Sequence, residues 1–209
     1  SSETFFILKI MRKLLLFLFT IVSLDLASQS IDEKPSKTFN VNINGTIRKV
    51  KEDEAFKLED KIIKINISPE MTFSKGIVSF DYPQYFAYEY NDEGNSLKSW
   101  VLSGNDFKIF YMIIKGNFSP SDYADSMKTK FEESIDTDVT LSINKNTFEG
   151  RKLMVSVLRN PFDMEIYKLK FDGKNTHFLI FQDSKKENGN KSDESALAKE
   201  ILNKTFYLH

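Results

Sequence analysis

From Phe39 onward, apolar and polar residues alternate along most of the chain, the period-two pattern of half-buried β-strands. Phe39, Val41 and Ile43 share one face, Asn44-Gly45 is a preferred two-residue turn, and Ile47 and Val50 carry the return strand, which predicts an N-terminal hairpin. Ile63, Ile65 and Ile67 mark another strand, stopped by Ser68-Pro69-Glu70. Val78, Phe80 and Tyr82 share one face of a strand that ends at Pro83, because proline removes a ladder donor. The aromatic stretch from Tyr85 to Tyr90 leads through a turn at 91–95 into a strand around Ser99–Leu102. Gly104-Asn105 then turns the chain into Phe107–Lys115. Turns this short predict antiparallel pairing.

The period changes after Gly116. Ser119 is a helix N-cap, Pro120 occupies the favoured first position, and Asp122 at N3 faces the orphan amides. Tyr123, Ala124, Met127 and Phe131 form one apolar stripe suited to lie on a sheet. Strands follow at Val139–Ile143 and Lys152–Leu158, then a hairpin of Glu165–Phe171 with Thr176–Gln182. A charged loop spans 183–192. A last helix, capped by Ser192 or Asp193, presents Leu197, Ile201, Leu202 and Phe206. The expected fold class is α+β, a single domain over 39–209 with a largely antiparallel sheet flanked by two amphipathic helices.

Four features in this order resemble the PsbP/DcrB superfamily over roughly residues 60–207. They are the strand 77–86 with its aromatic-Pro step and Phe86 three residues later, the helix Ser119–Glu133, the glycine-containing stretch Asn146–Lys152, and the closing helix with Thr205-Phe206. The resemblance implies an α/β/α sandwich on an antiparallel sheet. Members with known roles are mainly docking proteins, so it implies no catalytic constellation.

Nearer the N-terminus, Met11-Arg12-Lys13 precedes the apolar run Leu14–Leu24, which is followed by Ala27-Ser28-Gln29. A spanning helix needs about 20 apolar residues, so this shorter run with a basic flank reads as a secretory signal peptide over 11–28, cleaved after Ser28. Residues 1–10 read as an upstream extension and 29–38 as a polar, flexible leader. The mature chain then has no spanning segment, and it is expected in the periplasm or outside the cell. With 26 basic and 28 acidic residues it carries a net charge of −2. It therefore has no broad positive field, and nucleic acid is not an expected partner. Five Asn-x-Ser/Thr sequons, at Asn44, Asn66, Asn117, Asn190 and Asn203, fit chance in a chain rich in Asn, Ser and Thr.

The chain has no cysteine, which excludes disulfides, a thiolate nucleophile and thiolate metal sites. A secreted chain that dispenses with cysteine points to a bacterial envelope. His177 is the one histidine inside the sequence, flanked by Thr176 and Phe178 on a strand, and it reads as a hydrogen-bonded or solvent-facing side chain. Carboxylate chemistry has candidates in Asp81, Glu89, Asp163, Glu165 and Asp183, yet so many acidic residues produce neighbours without function. Asp136 with Asp138, and the loop 91–95, are candidates for calcium, but the loop lacks the ligand count and the bidentate Glu of a known calcium loop, and both read as solvated turns. The expectation is a protein that is not an enzyme, with no metal and no cofactor.

Between Phe80 and Tyr111 lie ten aromatics in 32 residues. Either helices cover both faces of the sheet and these rings are core, or Tyr85, Tyr88, Tyr90 and Trp100 form an amphipathic outer surface that binds a partner. The function favoured is a monomeric interaction module docking an envelope or secreted protein through a sheet edge or through those four residues. The alternative is a carrier of a hydrophobic small molecule or lipid, which requires an apolar cavity of several hundred Å³.

Overall fold

The computed structural model describes residues 37–43, 45–51, 63–129, 131, 134–157, 160–184 and 189–209. The signal peptide and all but the last two residues of the leader lie outside the described residues, as do Asn44 of the predicted first turn and 185–188 of the charged loop.

In chain order the strands begin with β1 (Thr38–Ile43), β2 (Thr46–Lys51), β3 (Ile63–Ile67), β4 (Glu70–Lys75) and β5 (Val78–Pro83). A meander of β6 (Ala87–Asp92), β7 (Leu97–Ser103) and β8 (Phe107–Lys115) precedes α1 (Pro120–Lys128). Then come β9 (Ser134–Ile143), β10 (Asn146–Val157), β11 (Asn160–Phe171) and β12 (Asn175–Ser184), followed by α2 (Asp193–Thr205) and the short β13 (Tyr207–Leu208). They form three sheets, β2-β1-β3, β6-β7-β8-β12-β11-β10-β9 and β13-β5-β4, and every pairing is antiparallel.

The α+β expectation is corrected by this arrangement: the fold is β-rich, with thirteen strands and two helices among the described residues. The reason is one of covering area. Seven strands at a spacing of about 4.8 Å make a sheet roughly 30 Å across, whereas a helix covers about 10 Å. Helices of 9 and 13 residues are too few and too short to roof it. On one face much of the cover is therefore the β4–β5 hairpin, with α2 beside it. Met71, Phe73, Phe80, Leu202 and Phe206 there meet Trp100, Ile109, Tyr111 and Phe181 of the main sheet. On the other face α1 places Tyr123, Ala124 and Met127 against Phe110, Leu153, Met164 and Phe178.

Local signals explain the helix ends. Ser119 and Asp122 form a reciprocal capping box and Pro120 opens α1. The helix stops at Lys128, so Phe131 lies beyond it and packs edge-on against Phe162. Asn144 and Lys145, both with positive φ, make the β9–β10 turn. Gly150 is therefore a mid-strand residue of β10, not part of a turn.

Candidate functional site

The structure divides the four predicted binding residues. Tyr85, in the β5–β6 connection, is 57% exposed, while Tyr88 and Trp100 are buried and Tyr90 is half-buried. The predicted outer surface is thus reduced to Tyr85; Tyr88 and Trp100 point into the layer roofed by β4 and β5. The alternation put them there: Tyr88 pairs with Leu102, and Tyr90 with Trp100, on the face that the hairpin covers.

Tyr85 borders an open groove of about 700 Å³ between the β5 end and α2. Pro69, Pro83 and Ile201 contribute to its apolar lining, and Leu197, 45% exposed, lies across from the tyrosine. Glu70, Glu200 and Lys204 supply the charged rim, with Lys204 Nζ 2.6 Å from Glu200 Oε1. Glu194, in the first turn of α2, fixes this corner. Its carboxylate accepts from the backbone N–H groups of Asn105 (3.1 Å), Asp106 (2.7 Å) and Phe107 (3.1 Å), and its charge acts on the nearby Tyr85 hydroxyl. Burial alone would raise the Glu194 carboxyl, but those amides outweigh it and hold it below the usual range. The helix is thereby tied to the β7–β8 turn, and one wall of the groove is held in place.

Leu197 was expected on the buried stripe with Ile201 and Leu202. Ala198 holds that place, nearly inaccessible and four residues before Leu202, so the stripe centres on 198 and 202 and leaves Leu197 at its margin. That offset was readable in the heptad spacing. The contact of Glu194 with the distant β7–β8 turn was not.

Beneath the hairpin, the register aligns three aromatics in one row across three strands: Tyr90 opposite Trp100 and Trp100 opposite Tyr111. Their rings stack with centroids 5.1 and 5.5 Å apart. The Tyr111 hydroxyl lies 2.8 Å from His177 Nδ1, and His177 Nε2 lies 3.1 Å from Asp172 Oδ2. The Ile77 N–H donates to the same hydroxyl at 3.1 Å. A histidine protonated on Nε2 satisfies all three contacts, donating to Asp172 and accepting from Tyr111. Gly76 makes this convergence possible: its φ is +55°, and a Cβ there would collide with the Tyr111 hydroxyl. Hydrogen bonds from the Asn175 amide, His177 and the Lys174 amide hold the Asp172 carboxyl well below its ordinary value. Tyr111→Phe leaves the Ile77 N–H and His177 without their partner. Its expected cost is about 2 kcal/mol in urea unfolding.

Of the carboxylate candidates, Asp81, Asp163, Glu165 and Asp183 are buried and Glu89 is half-buried. Asp163 and Asp183 are direct cross-strand partners, with Glu165 two residues along the same face. Lysines meet them: Lys152 lies 2.7 Å from Asp163, and Lys199 and Lys191 lie 2.6 and 3.3 Å from Glu165. Asp183 Oδ1 accepts from Ser192 Oγ at 2.6 Å, fixing the N-cap of α2. Asp81 accepts from Thr72 Oγ1 at 2.6 Å and Lys49 Nζ at 3.2 Å. Such pairing is what a strand face uses to bury charge under a helix.

The two calcium candidates are engaged by the chain's own groups. Asp136 is held by Lys128 and by Arg151, whose Nε lies 2.8 Å away, and Arg151 also reaches Asp138. Asp92 contacts Lys98 at 3.1 Å and Tyr90 at 2.9 Å. No group of three or more His, Asp or Glu side chains among the described residues could hold a metal. No helix among the described residues is long and apolar enough to cross a membrane. No protein-family model matches the chain, and no curated protein matches it.

Proposed function

We propose that this protein is a non-catalytic interaction module of the bacterial envelope or exterior, and that it docks a partner protein in the groove between the β5 end and α2. The observation that carries this reading is the pairing of Tyr85 and Leu197, two large and substantially exposed side chains facing one groove. Tyr85 rests edge-on against the buried Phe86 ring with centroids 5.1 Å apart, and aromatic anchors of this kind supply much of the affinity of protein interfaces. The carrier alternative has less support. The rings that would line a cavity, Trp100, Tyr111 and Phe73, lie against one another at centroid distances of 5.5 to 6.3 Å. Export through the signal peptide, processing after Ser28 and a monomeric state belong to the same proposal.

The test is co-purification of the mature chain with envelope extracts, comparing wild type with a Tyr85→Ala and Leu197→Ser double variant whose circular dichroism matches wild type. The expected result is a specific partner whose binding weakens roughly thirtyfold, about 2 kcal/mol, in the variant. A partner bound equally by both proteins would overturn the groove as the docking site. An apolar small molecule recovered from purified protein would favour the carrier.

A further inference from the structure

The aromatic row under the hairpin has a second property that packing does not require: it ends on a base. We infer that Tyr111 is a redox-active tyrosine, oxidised by one electron through Trp100 and Tyr90 while its phenolic proton moves to His177.

The geometry supplies each part. Tyr90 is half-buried at the outer end of the row, where its hydroxyl donates to Asp92 near the solvent. Trp100 is stacked between it and Tyr111, with interplanar angles of 29° and 27°. Near-parallel rings at 5.1 and 5.5 Å give continuous π contact from the surface to the interior. At the inner end the Tyr111 hydroxyl meets His177 Nδ1 at 2.8 Å, and Asp172 stands behind the other ring nitrogen at 3.1 Å.

The step balances as follows. An outer-sphere one-electron oxidant at the protein surface takes an electron from the row and is reduced by one electron. The electron vacancy passes to Trp100. Its indole N–H is buried with no hydrogen-bond partner among the described residues, so the oxidised ring keeps its proton and remains able to draw an electron from Tyr111. As that electron leaves, the Tyr111 O–H bond breaks and an N–H bond forms on His177 Nδ1. The products are a neutral phenoxyl radical on Tyr111 and an imidazolium whose charge faces the Asp172 carboxylate. No other bond changes.

Tyr111 is favoured over Tyr90 as the resting place of the vacancy because of the bases each can reach. Hydrogen bonds from Tyr90 and Lys98 hold Asp92 below the ordinary carboxylate range, which makes it a weak proton acceptor. Burial pushes the Tyr111 hydroxyl up to about 12, so it enters the step with its proton in place and needs an acceptor within hydrogen-bond reach when the electron leaves. His177 is that partner, and Asp172 is a positioning residue that acts through it.

The experiment is flash photolysis of the full chain with tris(bipyridyl)ruthenium and a sacrificial acceptor, read by transient absorption and by electron paramagnetic resonance of frozen samples. The wild type should give a long-lived neutral tyrosyl radical whose g-tensor shows a hydrogen bond and whose formation slows in D2O. Tyr111→Phe should lose that signal, Trp100→Phe should slow its rise with an unchanged spectrum, and His177→Gln should abolish the isotope effect. A signal of equal yield and spectrum in Tyr111→Phe would overturn the assignment, because the radical would then reside on another of the eight tyrosines. Should Tyr111→Phe not fold, His177→Gln decides in its place: a g-tensor and isotope effect unchanged there would put the radical on another hydrogen-bonded tyrosine, such as Tyr90 or Tyr167, and overturn the assignment. A radical without a hydrogen bond, or formed without an isotope effect, would also overturn it.

Discussion

Replacing Glu165 by leucine is expected to remove about 3 kcal/mol of stability, and replacing Lys199 by methionine a similar amount, because each variant leaves the other partner's charge beneath α2. The Glu165 carboxylate is 2.6 Å from Lys199 Nζ and also accepts from the Tyr167 hydroxyl at 3.0 Å. Lys199 additionally sits over the Phe181 ring at 4.9 Å. The double variant should recover part of the loss: two apolar side chains of similar volume replace the buried pair and Lys191 is exposed enough to be solvated, but the buried Tyr167 hydroxyl still loses its acceptor. Urea unfolding of the four proteins closes the cycle.

The same pair sets a pH dependence. Burial by itself would raise the Glu165 carboxyl, but Lys199, Lys191 and the Tyr167 hydroxyl together hold it lowered. A carboxyl lowered in the folded state contributes stability above its unfolded value. That contribution is lost as pH falls through the folded value. The gap between wild type and Glu165→Leu should therefore start to narrow near pH 4.5 and close further below it.

Gly150→Ala is expected to cost about 3 kcal/mol, from overpacking in the middle of a strand pair. Gly150 faces Tyr167 across β10 and β11. A Cβ on it would collide with the Ile166 carbonyl oxygen and stand 2.6 Å from Tyr167 Cδ1, and a backbone oxygen in a ladder has no alternative rotamer. Gly173→Ala is the control. Its φ is +94° but nothing lies within 4 Å of the added carbon, so it carries only the left-handed backbone cost, about 1 kcal/mol. Thermal unfolding should separate the two clearly.

Sequence periodicity was informative wherever one strand face was buried and turns were short. Phe107–Lys115 is β8 as expected, and the β1–β2 and β11–β12 hairpins pair as read. Both helices start at serine caps named from sequence. Three strands have no counterpart in the sequence reading: β4, β6 and the two-residue β13, which is too short to show a period. In β4, Met71 and Phe73 do alternate with Thr72 and Ser74, but Pro69 and Glu70 looked like a stop rather than an edge strand's start. In β6, aromatics on both faces hid the alternation. Without β4 there was no second layer of strands, which is why helices seemed necessary to cover the sheet and Trp100 seemed free to face outward. Tyr85 alone of the four binding candidates kept its exposure, because it lies in a connection rather than in a ladder. The His177 contacts to Tyr111 and Asp172 depend on register and a turn, which no single stretch of sequence contains.

The hairpin of β4 and β5 is sealed from far along the chain. β13 adds its two residues to β5, Phe206 stacks on Phe80 at 6.4 Å, and Thr205 Oγ1 accepts the Asp81 N–H across 124 residues. Until the segment 193–208 has emerged, a nascent chain presents Phe73, Phe80 and Tyr82 without that cover, and loop closure over this span is slow. Such a chain keeps these rings accessible to chaperones until α2 has formed. The hairpin's commitment to its folded position thus waits on the same helix that carries one wall of the groove.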